Sequence, residues 1–109
     1  MTDRLLDALL GALADPTRRT ILSRLRQGEA SVSQLARPAG ITITGMRKHL
    51  QILERAGLVT TRKAGRTRWA RLRPDAFDPV ADFVAPYRDL ALASPHDAPY
   101  IDLSNMDVT

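Results

Sequence analysis

Apolar positions along this chain fall into helical groups parted by short glycine- or proline-marked breaks, with one stretch of alternating residues between them. The first group, Leu5, Leu6, Ala8, Leu9, Leu10, Ala12 and Leu13, is wider than a single helical stripe, and only Asp3, Arg4 and Asp7 are clearly polar. A helix of that kind either buries two faces, one on its own core and one on a partner subunit, or is fully enclosed within a monomer; the small size of the chain favours the first. Asp15-Pro16 closes this helix and opens the next, with Asp15 as cap and Pro16 in the first turn. There Ile21, Leu22 and Leu25 point inward, Arg18, Arg19, Arg24 and Arg26 are left to solvent or salt bridges, with one or two able to meet phosphate near a duplex, and Gly28 marks the end.

From Ser31 to Leu58 the pattern reads helix, tight turn, helix. Ser31 and Gln34 have the spacing of a capping box, in which each side chain satisfies the other residue's free amide. Gly40 supplies the turn, because it tolerates the positive φ of a helix end. Thr42 caps the second helix, predicted over 43–56, whose apolar Ile43, Met46, Leu50 and Leu53 recur at steps of three and four and which Gly57 terminates.

The outer face of that second helix carries Thr44, Gly45, Arg47, Lys48 and Gln51, with no carboxylate before Glu54. Hydroxyls, cations, an amide and a glycine allowing close approach suit base edges and phosphates in a major groove. An ordinary amphipathic helix with a solvated basic face would look similar, so the following segment matters.

Residues 58–73 predict a β-hairpin turning at Gly65-Arg66, which would set Lys63 opposite Arg68, Thr61 opposite Ala70 and Val59 opposite Leu72. The ribbon carries Arg62, Lys63, Arg66, Arg68, Arg71 and Arg73 and no acid. Their mutual repulsion is a cost that a bound phosphate backbone would relieve. A final helix opens at Asp78-Pro79 and continues through Val80, Phe83, Val84, Tyr87, Leu90 and Ala91, with Pro86 expected to kink or divide it near Val84.

Charge sharpens this picture. Of the 109 residues, the first 73 hold 15 Lys and Arg against 5 Asp and Glu, whereas the last 36 hold 1 against 7, so the net +4 hides a strongly basic body and an acidic end. Such clustering is the footprint of a polyanion binder. With no cysteine, disulfides, thiolate metal sites and thiol catalysis are excluded, and no nucleophile–base pair or phosphate-cradling glycine loop points to an enzyme. The longest apolar run, 8–14, is far short of a membrane span and the N-terminus has no signal-peptide character, so a cytoplasmic protein with no membrane partner is expected. His49 borders the apolar stripe of its helix and reads as a packed, hydrogen-bonded histidine rather than a metal ligand.

Helices followed by a basic hairpin make a winged helix-turn-helix, a mainly α fold with a β wing. Here the run from Asp15 to Leu22 (DPTRRTIL), the run from Lys48 to Val59 (KHLQILERAGLV) and Gly65-Arg66-Thr67-Arg68 resemble, in order, the motifs of the ArsR/SmtB family of bacterial transcriptional regulators, over about residues 5–92. The resemblance implies a homodimeric repressor on a palindromic double-stranded DNA operator. Thr42, Thr44, Gly45, Arg47, Lys48 and Gln51 would read bases, and Arg62, Lys63, Arg66 and Arg68 on the wing would meet phosphate. It also implies dimerisation through the first and last helices, by Leu5, Leu6, Leu9, Leu13, Phe83, Tyr87 and Leu90. Metal-sensing members carry cysteines where this chain has Gln34-Leu35-Ala36, and the last helix here has no histidine, so the chain resembles the non-metal branch, with no metal or cofactor expected. Many relatives carry a serine where this chain has Arg47, which points to a different base preference. The inducer is left open among a small organic molecule in a cleft at the dimer interface, a protein partner and no ligand.

The domain organisation expected is one DNA-binding and dimerisation domain over 1–93 and an acidic tail of low order over 94–109, with Tyr100, Ile101 and Leu103 docked on a neighbour. From the residues alone, a winged-helix module that docks an acidic protein partner is the competing reading.

Overall fold

The computed structural model describes residues 3–93 of the chain. The elements run α1 (Arg4–Leu13), α2 (Pro16–Leu25), β1 (Ala30–Ser31), α3 (Val32–Ala39), α4 (Ile43–Arg55), β2 (Val59–Ala64), β3 (Thr67–Leu72) and α5 (Asp78–Ala93). The expected tail, including His96 and the docking of Tyr100, Ile101 and Leu103, lies outside the described residues.

Local chemistry sets the element ends where the sequence places them. The Asp15 side chain accepts from the Arg18 amide at 3.0 Å. At α3 both halves of the capping box form: the Gln34 amide donates to Ser31 Oγ at 3.1 Å and the Ser31 amide to Gln34 Oε1 at 2.9 Å. Thr42 Oγ1 accepts from the Gly45 amide at 3.0 Å at the head of α4. Gly40 adopts φ 65° after α3, and Gly57, at φ 78°, ends α4 in a Schellman turn in which the Leu58 amide reaches the Leu53 carbonyl at 2.9 Å.

Leu9 and Ala12 of α1, Ile21, Leu22 and Leu25 of α2, Leu35 of α3, and Met46, Leu50 and Leu53 of α4 meet in one core, closed on the far side by Leu58, Val59 and Ala70. Each fully buried leucine contributes roughly 1.5–3 kcal/mol by leaving water. The hairpin forms in the expected register, with Val59 opposite Leu72, Thr61 opposite Ala70 and Lys63 opposite Arg68. Gly65, at φ 64°, makes the turn.

Three features differ from the sequence-based expectation. A third strand is present: Ala30 and Ser31 pair antiparallel with Ala70 and Trp69, giving the order β1-β3-β2. Two residues are too few to show a period-2 pattern, so nothing in the sequence marked them. Helix α5 continues unbroken through Pro86 to Ala93. Leu9, expected on a dimer face, is fully enclosed inside its own protomer, while Leu5 remains 51% exposed.

Candidate nucleic-acid interface

The side chains expected to read bases share one surface. Thr42, Thr44, Arg47, Lys48 and Gln51 are all exposed, while Met46, Leu50 and Leu53 anchor the opposite side of α4 in the core. Gly45 has a local reason to be glycine: a Cβ there would stand 3.0 Å from Ile41 Cγ2 and 3.2 Å from Thr42 Oγ1, crowding the turn and the cap of α4 itself. Ile43, which shares its spacing with the buried Met46, Leu50 and Leu53, is 42% exposed. As the first residue of α4 it overhangs the core, and together with Arg47, Arg66 and Arg68 it lines a notch of about 130 Å³ between helix and wing. Sequence reasoning missed this exposed isoleucine among arginines, since its i+3 spacing to Met46 resembles a core position.

The wing is two-faced, as a pleated ribbon must be. On the face toward α4, Glu54 Oε2 accepts from the Thr61 amide at 3.2 Å and from Thr61 Oγ1 at 3.0 Å, and Arg68 Nη1 donates to Thr61 Oγ1 at 3.1 Å. This chain of bonds fixes the wing against α4 and gathers Arg47, Gln51 and Arg68 around one shallow depression. Lys63 lies on the same face beside Arg68, and Arg66 is exposed at the tip.

Arg62 points to the other face. It makes a two-pronged contact with Glu29, Nη2 to Oε1 at 2.7 Å and Nε to Oε2 at 3.2 Å, and its guanidinium lies 6.0 Å from the Trp69 ring centroid. The Glu29 carboxylate raises its pKa further. Arg62, expected on phosphate, is therefore engaged within the protein. The acids that temper the cationic ribbon come from outside it, Glu29 just before β1 and Glu54 on α4, which the acid-free sequence of the hairpin could not show.

The arginines after Asp15-Pro16 also have structural work. Arg18 donates from Nε to the Ala12 carbonyl at 2.8 Å and from Nη2 to the Gly11 carbonyl at 3.2 Å, while Arg19 Nη1 donates to the Leu13 carbonyl at 2.7 Å. Together they bond three carbonyls at the end of α1, where helical donors run out, and the Gly11 carbonyl accepts from the Ala14 amide at 3.2 Å as well. Arg18 Nη1 also lies 3.4 Å from Nδ1 of half-buried His49, so this ring nitrogen is the acceptor and α1 is tied to α4.

Helices α1 and α5 leave large apolar side chains in solvent: Leu5 51%, Phe83 45%, Val84 45%, Tyr87 66% and Leu90 70% exposed; Leu6 is half-buried, and Leu13, also half-buried, packs against the core. Among the described residues, no group of three or more His, Asp or Glu is placed to hold a metal ion, and no helix is long and apolar enough to cross a membrane.

Comparison with known proteins agrees with this layout. Residues 13–62 match a helix-turn-helix domain family. The HTH-type transcriptional regulator Rv2034 of Mycobacterium tuberculosis is 43% identical over 63 residues, which are 58% of this chain and 59% of that protein, so the chain spans about three-fifths of the length of this relative. The crystal structure of the ArsR family transcriptional regulator RHA00566 is 37% identical, with a TM-score of 0.76, covering 83% of this chain and 93% of that one. The solution structure of the homodimeric winged helix-turn-helix DNA-binding domain of Mb0332 from Mycobacterium bovis is 29% identical, with a TM-score of 0.61 over 92% of this chain and 97% of that one. Sequence motifs, fold and identity over nearly the whole of a solved relative thus coincide, and the chain belongs to the ArsR/SmtB family of winged helix-turn-helix transcriptional regulators.

Proposed function

We propose that the protein is a homodimeric repressor that places one α4 from each protomer in successive major grooves of a palindromic operator. The observation that carries this reading is the shared surface of α4 and the wing, where Thr44, Arg47, Lys48, Gln51, Lys63, Arg66 and Arg68 all lie outside the core and Glu54 is the one acid, held by Thr61. Thr42, Thr44, Gly45, Arg47, Lys48 and Gln51 then face base edges, and Ile43 joins them as an apolar contact for a thymine methyl. Lys63, Arg66 and Arg68 meet phosphate, and Arg62 supports the ribbon through Glu29.

The domain over 1–93 carries both DNA binding and dimerisation. The exposed apolar side chains of α1 and α5 support a two-fold contact between copies, because surfaces of this kind mark interfaces. That the Mycobacterium bovis relative is a homodimeric DNA-binding domain supports the same assembly. Half-sites are then spaced by about one helical turn, 34–36 Å, or a multiple of it. The protein acts in the cytoplasm, as its kinship with bacterial regulators implies.

The test is selection of binding sites from random duplexes, followed by gel-shift titration of the selected and scrambled sequences at physiological salt. A selected duplex should bind at least about a thousandfold more tightly than the scrambled one. Equal binding to both would sink the operator reading in favour of an interaction module for an acidic protein.

A further inference from the structure

A half-open groove of about 390 Å³ runs between α2 and α3, apart from both the DNA-facing surface and the apolar face of α1 and α5. That volume lies within the range of small-molecule sites, about 300–1,000 Å³. Its walls are mainly apolar, with Pro16 and Ile21 on one side, Leu35 and Pro38 on the other, and Ile41 at one end.

Two polar features stand out against those walls. Arg24 is the one charged residue of the lining; it makes a long 3.3 Å bond from Nη1 to the Gly28 carbonyl, and among the described residues no carboxylate pairs with it. A guanidinium in that setting presents a planar fork that matches a carboxylate. Pro38 lies inside α3 and has no N–H, so the main-chain carbonyl of Gln34, four residues back, lacks its helical donor. Gln34 and Pro38 both line the groove.

Ile41 connects the groove to the recognition helix. Its amide is held by the Ala36 carbonyl at 3.1 Å, and its Cγ2 lies 3.0 Å from where a Cβ on Gly45 would stand, so no slack separates it from the first turn of α4. A body wedged against Ile41 has to displace either that turn or α3.

We propose that the α2–α3 groove is an effector site for an apolar-bodied monocarboxylate, its carboxylate on Arg24 and a hydroxyl on its body donating to the Gln34 carbonyl, and that occupancy lowers affinity for DNA. The effect on DNA rests on the repressor reading; the binding itself does not.

The test uses 2-naphthoate, 6-hydroxy-2-naphthoate and the uncharged 2-naphthylmethanol as probes, followed by amide NMR on the full chain. Both carboxylates should shift amides of residues 17–24 and 34–41, the hydroxylated one binding more tightly. The alcohol should bind about tenfold more weakly or worse, the fold-change of about 1.4 kcal/mol, close to the low end for a hydrogen bond to a charged group. Arg24→Gln should erase the preference for the carboxylate and leave DNA affinity without probe unchanged. Ala39→Phe, which fills the groove from an exposed position, should block all three probes. Absence of localised shifts at millimolar probe, equal binding of alcohol and acid, or a preference that survives Arg24→Gln would overturn the site. Carboxylate binding that leaves affinity for the selected duplex unchanged would overturn the coupling. Carboxylate binding by a chain with no sequence-selective DNA affinity would uphold the site and remove the repressor reading alone.

Discussion

Arg66 and Arg62 belong to the same cationic ribbon, yet they should behave in opposite ways when removed. Arg66 sits exposed at the turn, whereas Arg62 is paired with Glu29 on the face away from α4. Each phosphate contact contributes about 0.9 to the slope of log affinity against log salt. A dimer has two wings, so Arg66→Ala should flatten the slope by about 1.8. Between about 50 and 200 mM salt, that changes the ratio of wild-type to variant affinity by roughly tenfold. Arg62→Ala removes no phosphate contact and should leave the slope unchanged, with at most a marginal loss of stability, as for exposed ion pairs. Fluorescence anisotropy titrations on one selected duplex at four or more salt concentrations measure both slopes. Equal slope losses for the two variants would refute the two-faced wing, and a larger loss for Arg62→Ala would reverse the assignment.

Other expected outcomes follow from burial, caps and exposure. Leu9→Ala should cost the protomer about 2–5 kcal/mol in chemical denaturation, as a fully enclosed leucine does, whereas Leu90→Glu, at a 70% exposed position, should leave protomer stability nearly unchanged and yield monomers in light scattering. Replacing thymines of the operator one at a time by deoxyuridine should weaken wild-type binding about fourfold at one position per half-site, the value of one methyl group, and Ile43→Ala should be indifferent to the same change. The Arg18 amide bond, opposed by desolvation and aided by the charge of Arg18, lowers the Asp15 pKa below its ordinary 3.8. Because the folded value is the lower one, its stabilisation is complete above pH about 4 and disappears as pH falls through the folded pKa, so the stability gap between wild type and Asp15→Asn should shrink in acid denaturation series run downward from neutral pH.

The helical parts of the fold were legible in the sequence because their ends are written in local chemistry. Ser31 with Gln34, Thr42, and the glycines at 40 and 57 act within one turn of chain, and each acts as its residue type implies. The hairpin register was legible for the same reason, since Gly65 fixes the turn and alternation does the rest. Features that depend on distant segments were not legible. Glu29 reaches Arg62 across 33 positions and Arg18 reaches His49 across 31, so composition of the ribbon or of α2 alone suggested free cations. The apolar stripe of α4 identified Met46, Leu50 and Leu53 correctly and misplaced Ile43, because periodicity cannot tell where a helix leaves the core. Likewise, α1 showed from sequence that it has two apolar faces, and only packing assigned Leu9 to one and Leu5 to the other.

The central claim is that two copies of α4, held by one dimer, read one duplex. Hydroxyl-radical footprinting of the selected operator, with light scattering on the same complex, tests it most directly. The account predicts two protected windows centred about one helical turn apart, or a whole number of turns, on a complex of two chains per duplex. A single protected window on a one-to-one complex, or uniform protection independent of sequence, would contradict it.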